Sequence, residues 1–337
     1  MSETTYRNRR AVTLENERLR VTVLVEGGHI AEVFDKETEV NPLWTPPWPS
    51  IEPSTYNLAR HPEYGADSES KLLSGIMGHN LCLDLFGPPS EEEAAAGMTV
   101  HGEASVAPYA ISVDGPQMAA KASLPVARLE FQRVIRLEGR SVRFSETLEN
   151  VSNADYPVAW TQHVTLGPPF VARGETAFRA PVARSYSLDA EAEFVWPHAS
   201  RDLRTCDSAP SSAGFSAHLM DPAREVAFFI AHSPAFGLVF GYRWKRSDFP
   251  WLGVWEENHS RQQPPWNGRT LTWGMEFGAS PLPESRRKMI GRNGMFGERG
   301  YRWIPARSTA KVEYTAFFAA AASIPERLEE IEIDVSA

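Results

Sequence analysis

Three stretches of this chain carry residues that can move protons. The first runs Gly97-Met98-Thr99-Val100-His101-Gly102-Glu103-Ala104. A histidine followed by glycine after an apolar step sets an imidazole at a strand end, beside open backbone; a plain loop histidine is the alternative. The second is Trp160-Thr161-Gln162-His163-Val164-Thr165-Leu166-Gly167-Pro168-Pro169-Phe170. Read as a strand, it sends Trp160, Gln162 and Val164 to one face and Thr161, His163 and Thr165 to the other. A His/Thr face opposite a Trp suits the floor of a polar cleft, or a histidine satisfied by a neighbouring hydroxyl. The third extends from Trp251 through Trp255-Glu256-Glu257 and Trp266-Asn267-Gly268-Arg269 to Trp273-Gly274-Met275-Glu276-Phe277-Gly278. Glu276 lies between two glycines and two apolar side chains near a strand end. A carboxylate in that setting must be paired or must act on something. It either forms a buried ion pair with Arg269 or does acid–base work. Trp251, Trp255, Trp266 and Trp273 suit core or rim packing, or one of them, with Trp255 the candidate, stacks on the apolar face of a sugar ring, since an aromatic face suits it.

Other chemistries find no support. The chain has no phosphate-binding glycine loop, no dinucleotide fingerprint, no nucleophile elbow and no His-Glu-x-x-His helix. Its two cysteines, Cys82 and Cys206, lack zinc spacing, and no His-x-His pair occurs. What these absences leave is acid–base chemistry on a small polar substrate, or binding alone. With 34 Lys plus Arg against 43 Asp plus Glu, the net charge is −9. That balance argues against a nucleic-acid partner and against a polybasic membrane-surface binder. No apolar run is long enough to span a bilayer, and the basic N-terminal residues are followed by no apolar stretch. With so few cysteines, the expectation is a soluble cytoplasmic protein acting on a small polar molecule.

The elements that must position these groups read as strands. Ten Trp, 17 Phe, 26 Pro and 23 Gly disfavour helices and favour pleated segments with punctuated turns. Leu19–Val25 alternates, turns at Glu26-Gly27-Gly28 and continues in His29–Phe34. Leu129–Leu137 alternates, turns at Glu138-Gly139-Arg140 and returns in Ser141–Leu148, the clearest hairpin signal. Ala227–Ala231 and Gly237–Tyr242 form another pair, and Val312–Phe318 alternates near the end. Helical signals are short: Ser90–Ala96, more in keeping with an inserted loop than a core helix, and Ile324–Ile331. No repeat or linker composition divides the chain, so one domain over residues 1–337 is expected.

Taken together, the string Gly27-Gly28-His29-Ile30-Ala31-Glu32-Val33-Phe34-Asp35-Lys36, then His101-Gly102-Glu103-Ala104, then His163 ahead of Gly167-Pro168-Pro169-Phe170, then Glu276 in Gly274–Gly278 resembles the galactose mutarotase (aldose 1-epimerase) superfamily. The order His, His, Glu runs over nearly the whole chain. The resemblance implies an all-β fold, a large antiparallel β-supersandwich with a sugar cleft on a concave face, a small carbohydrate as partner, and no metal or organic cofactor. It implies interconversion of sugar anomers, with Glu276 as base for the anomeric hydroxyl, His163 as acid for the ring oxygen and His101 holding the ring-oxygen side. A substrate-binding Asp is expected between His163 and Glu276; Asp221 matches best by position and Asp248 next. A substrate-binding Arg is expected ahead of His101, where Arg60 or His79 lies. Val164-Thr165-Leu166 stands where the family has Pro-Tyr-Phe after the second His, which marks a divergent branch. Two other readings share the scaffold: a carbohydrate-binding protein without turnover, and a carbohydrate hydrolase or lyase using carboxylates such as Glu256, Glu257 and Glu276. Adjacent Glu256 and Glu257 point to opposite faces of a strand, so at most one would join Glu276.

Overall fold

The computed structural model describes residues 4–199 and 201–333. Two large sheets face each other, and every strand pairing among the described residues is antiparallel. The expected hairpins form. Leu19–Leu24 pairs with Ile30–Asp35 through a bulge at Thr22/Val23, Leu129–Glu138 pairs with Ser141–Asn150, and Val226–Ser233 pairs with Leu238–Lys245. The strand Thr309–Ala320 lies between Ser141–Asn150 and Leu238–Lys245. Of the helical signals, the first becomes a five-residue helix, Glu91–Ala95, with no buried residue. Ser90 accepts from the Glu93 amide and the Glu93 side chain reaches back, a reciprocal cap. The second yields one 3-10 turn, Leu328–Glu330.

The larger sheet carries the site. Its central strands run His79–Asp84, Tyr156–Leu166, Leu271–Gly278, Trp251–Asn258 and Ser212–Met220, in that spatial order. Ten of the eleven residues of Tyr156–Leu166 are buried, because both of its faces are covered. One face packs on the smaller sheet, where Trp160, Val164, Trp273, Met275 and Phe277 join a core shared with Phe144, Tyr242 and Tyr314. The other face is the floor of a cleft.

A buried polar cluster sets which face is which. Glu146, on the smaller sheet, accepts hydrogen bonds from Arg133 Nε (2.7 Å), Trp160 Nε1 (2.8 Å), Gln162 Nε2 (2.7 Å) and the Tyr314 hydroxyl (2.8 Å). Glu146 and Arg133 are essentially excluded from water, so the carboxylate is tolerable only because its acceptor positions are filled. Slipping the strand by one residue would lose the Trp160 and Gln162 bonds together and send His163 inward. The cluster therefore holds Thr161, His163 and Thr165 outward on the cleft face.

Candidate active site

Three cross-strand neighbours build the floor. Asn80 stands opposite His163 on one side, and Glu276 opposite His163 on the other. Glu276 in turn faces Gly253. Cross-strand partners lie on the same face, so the two ionisable side chains meet without help from a loop. His163 Nε2 is 3.1 Å from Glu276 Oε1, and the exposures are 5% and 3%. The partner of Glu276 is thus His163, in place of the alternative partner Arg269. The far ring nitrogen of His163, Nδ1, is 3.0 Å from the Thr165 hydroxyl, which fixes the ring plane.

The glycines around Glu276 keep the floor open. A β-carbon at Gly274 would come within 2.7 Å of Glu276 Oε1, and one at Gly253 within 2.9 Å of the Phe215 ring. Any side chain at either position would press on the groups that define the cleft.

His101 arrives from a connection that lies across the end of the His79–Asp84 strand. Its φ is +65° and that of Gly102 is +78°. Glycine is required at 102, because a β-carbon there would overlap the Leu83 carbonyl oxygen. Asn80 Nδ2 donates to His101 Nδ1 at 3.2 Å, and the ring centroids of His101 and His163 are 4.9 Å apart. With Nδ1 accepting, Nε2 of a neutral His101 carries the proton as a donor.

Burial dominates the electrostatics. It raises the Glu276 carboxyl to about 8 and lowers the His163 imidazole to about 4. His101 is held well below the ordinary histidine value by burial, with the neighbouring His163 adding to it. Near neutral pH the resting pair therefore holds one proton, on Glu276, with His163 neutral.

The cleft over this floor measures about 370 Å³. One wall is aromatic: Trp255 and Trp266 both line it, with Trp44 and Trp48 packed behind. His163 lies 5.9 Å from Trp255 between ring centroids. Arg261 sits over both rings, 4.7 Å from the centre of Trp266 and 5.7 Å from that of Trp255. It pairs with Glu257 at 3.5 Å and with Glu69 at 3.6 Å. Glu256 and Glu257 both border the cleft, Glu257 from the strand face that Gly253 shares with Glu276, and Glu256, opposite Trp273, from the other face. Neither is a free carboxylate. Glu256 is held by Arg201 and Ser212, and Glu257 accepts from the Ser260 hydroxyl at 2.6 Å and from the Ser260 and Arg261 amides.

His101, His163, Glu276 and Trp255 thus converge on one cleft. Four other sequence candidates lie outside its lining, and each needs correction. His79 points the opposite way from Asn80, into the core, between the Tyr242 hydroxyl (3.1 Å) and Gln162 Oε1 (3.0 Å). Arg60 is exposed in a turn whose amide bonds to the Asn57 carbonyl. Asp221 follows the Ser212–Met220 strand, where it pairs loosely with Arg224 at 3.7 Å. Asp248 lies in the turn before Trp251 and faces Arg302 at 3.7 Å. The charged groups that do border the cleft are Glu69, Asp189, Glu256, Glu257 and Arg261. Arg261 was within reach of sequence reasoning, lying between two tryptophans already singled out. Glu69 and Asp189 carry no local signal.

No family model and no curated protein matches the chain. Solved structures do. A proposed aldose 1-epimerase from Klebsiella pneumoniae superposes with a TM-score of 0.68 at 14% identity, over 94% of this chain and 80% of that one. A galactose mutarotase-like protein from Clostridium acetobutylicum gives 0.63 at 12%, over 95% and 98%. A galactose mutarotase related enzyme from Lactobacillus acidophilus gives 0.61 at 11%, over 94% and 99%. The fold is the galactose mutarotase-like β-sandwich, the fold that the ordered His, His, Glu pattern implied. At such identities the likeness is one of architecture, and chemistry must be argued from the cleft.

Proposed function

We propose that this chain is a divergent member of the galactose mutarotase-like superfamily that interconverts the anomers of a sugar in the His163/Glu276 cleft. The observation that carries the reading is the 3.1 Å contact between His163 Nε2 and Glu276 Oε1 on the floor of an aromatic-walled cleft. Mutarotation requires a base for the anomeric hydroxyl and an acid for the ring oxygen, placed together. Glu276 is the base, and its raised value suits it to hold a proton near neutral pH. His163 is the acid. Burial makes its imidazolium readier than usual to give up a proton. His101, with Nε2–H free to donate, steadies the ring-oxygen side. Trp255 supplies the stacking face.

The resting pair holds its proton on Glu276. Sugar hydroxyls that donate to the carboxylate replace the missing solvation, which favours transfer of that proton across the 3.1 Å contact to His163. The charged pair so formed is the reactive one. When the sugar opens, Glu276 takes the anomeric proton as His163 protonates the ring oxygen. Reclosure on the other face reverses both transfers and leaves the pair as it began. The carboxylates Glu256 and Glu257, each held by its own partners, do not support the hydrolase alternative.

The test is anomer interconversion, followed by polarimetry or NMR on freshly dissolved single anomers of free and phosphorylated aldoses. Glu276→Gln and His163→Ala are each expected to lower kcat by about 10²- to 10⁴-fold with sugar binding largely kept. His101→Ala is expected to weaken binding and turnover together. Binding without any rate above buffer would replace this reading with that of a carbohydrate-binding protein, and no binding would refute both.

A further inference from the structure

A second hollow adjoins the cleft. It measures about 350 Å³, close to the 370 Å³ of the cleft, and the two share Asp189 and Ala213 as lining. Between them runs the start of the Ser212–Met220 strand, where Ala213 and Gly214 form a low sill. The sill depends on Gly214. A β-carbon there would come within 2.9 Å of Asp189 Oδ2, so a larger residue would push on that carboxylate, while Arg201 Nη2 at 3.5 Å would be in ordinary contact.

The groups on either side of the sill are held in place. The Phe215 amide donates to Asp189 Oδ2 at 3.0 Å, which leaves Oδ1 for a ligand. The Arg201 guanidinium is anchored on Glu256, and its Nε is buried without a hydrogen-bond partner. Ser187, Glu193 and the Phe194 ring complete the hollow. Carboxylates, a guanidinium, a hydroxyl and one aromatic face suit a polyhydroxylated ring. They do not suit an anion, because Asp189, Glu193 and the Glu256 behind Arg201 outnumber the two guanidiniums, Arg201 and the Arg184 paired with Glu193.

From this we infer that the cleft continues over the Ala213–Gly214 sill into an accessory subsite for a second saccharide unit, so that the natural substrate is the reducing end of a disaccharide or longer chain. The inference rests on the proposed function. With the reacting carbon held at Glu276 and His163, the second unit is the one attached at the remote, non-reducing side of the reacting ring.

Ala192 and Ala190 line only the hollow and are exposed, so Ala192→Trp and Ala190→Trp fill it without disturbing the core or the catalytic groups. Anomer interconversion and binding by saturation-transfer NMR would be measured with glucose and galactose against maltose, cellobiose and lactose. The expected result is a kcat/KM for at least one disaccharide about tenfold above that of its reducing monosaccharide, the factor one well-made charge-assisted hydrogen bond supplies. Both tryptophan variants should return that disaccharide to the monosaccharide value and leave the monosaccharides unchanged. Disaccharides no better than monosaccharides, or variants that affect both classes equally, overturn the subsite. If no sugar is interconverted, the proposed activity fails on its own. The subsite is then decided by binding: a tighter Kd for a disaccharide that the tryptophan variants abolish supports it, and equal Kd values or no binding refute it.

Discussion

Replacing Gly274 by alanine perturbs the candidate base without touching its chemistry. The backbone at 274 has no left-handed φ, so alanine fits the strand itself. The added β-carbon would stand 2.7 Å from Glu276 Oε1 and 3.1 Å from the Trp255 β-carbon. Ordinary contact begins at 3.4 Å, so the carboxylate must move by about 0.7 Å. The oxygen that is displaced is the one 3.1 Å from His163 Nε2. A misplacement near 1 Å at a reacting group costs about 10²-fold in rate, so Gly274→Ala is expected to lower kcat by roughly 10- to 100-fold. Stability should change little. Glycine in a strand costs about 0.5–1 kcal/mol relative to alanine, which offsets part of the new strain. Gly253→Ala is the companion variant: its β-carbon meets the Phe215 ring at 2.9 Å but the Glu276 β-carbon only at 3.4 Å. It should raise KM more than it lowers kcat. The assay is polarimetry across a substrate range, with thermal unfolding as the folding control. A folded Gly274→Ala protein with unaltered kcat would refute the claim that Glu276 is held where the reaction needs it.

Three further outcomes follow from the burial pattern. Glu276 ionises near 8 when folded against an ordinary value of 4.5. Over pH 4.5–8 the unfolded chain has shed a proton that the folded chain keeps, so this group's contribution to stability falls as pH rises through that window. His163, near 4 when folded against 6.5, acts oppositely, and its contribution rises from pH 4 to 6.5. Glu276→Gln removes the first effect alone. The Tm of the variant should therefore gain on that of the parent steadily from pH 4.5 to 8, and a flat difference would count against the buried carboxyl. Arg133→Met strands the Glu146 carboxylate in the core and should cost about 3–5 kcal/mol in urea unfolding; a loss below about 1 kcal/mol would show that the pair is not desolvated as described. One cooperative unit over residues 1–337 predicts a single calorimetric transition, and two resolved transitions would replace it with two domains.

Where sequence reasoning succeeded and failed follows from which strands keep a phase. Leu129–Glu138 has one wet face, and its alternation is written in residue type, so the hairpin was legible. His79–Asp84 is buried on both faces, every residue of it. Nothing in Asn80-Leu81-Cys82-Leu83 says which face is the cleft, and an error of one residue exchanges His79 for Asn80. His79, put forward only for lying ahead of His101, is a core residue under Tyr242, and Asn80 is the one that touches His101. Tyr156–Leu166 is as deeply buried, yet its phase was readable because its two faces differ chemically, Trp160 and Gln162 against Thr161, His163 and Thr165. Glu276 was readable because a carboxylate set between glycines and apolar strand residues needs a partner or a task. The charged rim was not. Asp221 and Asp248 had only sequence order to recommend them, and order does not say which end of a strand a turn occupies. Arg261, Asp189 and Glu69 reach the cleft from connections, whose paths no periodicity records. In the proposed mechanism the protons pass between side chains on paired strands, where register alone brings them together. Of the charged groups that border the cleft, Glu69, Asp189 and Arg261 sit on connections, so on the proposed reading these contacts to a sugar can diverge while the His163/Glu276 floor stays fixed.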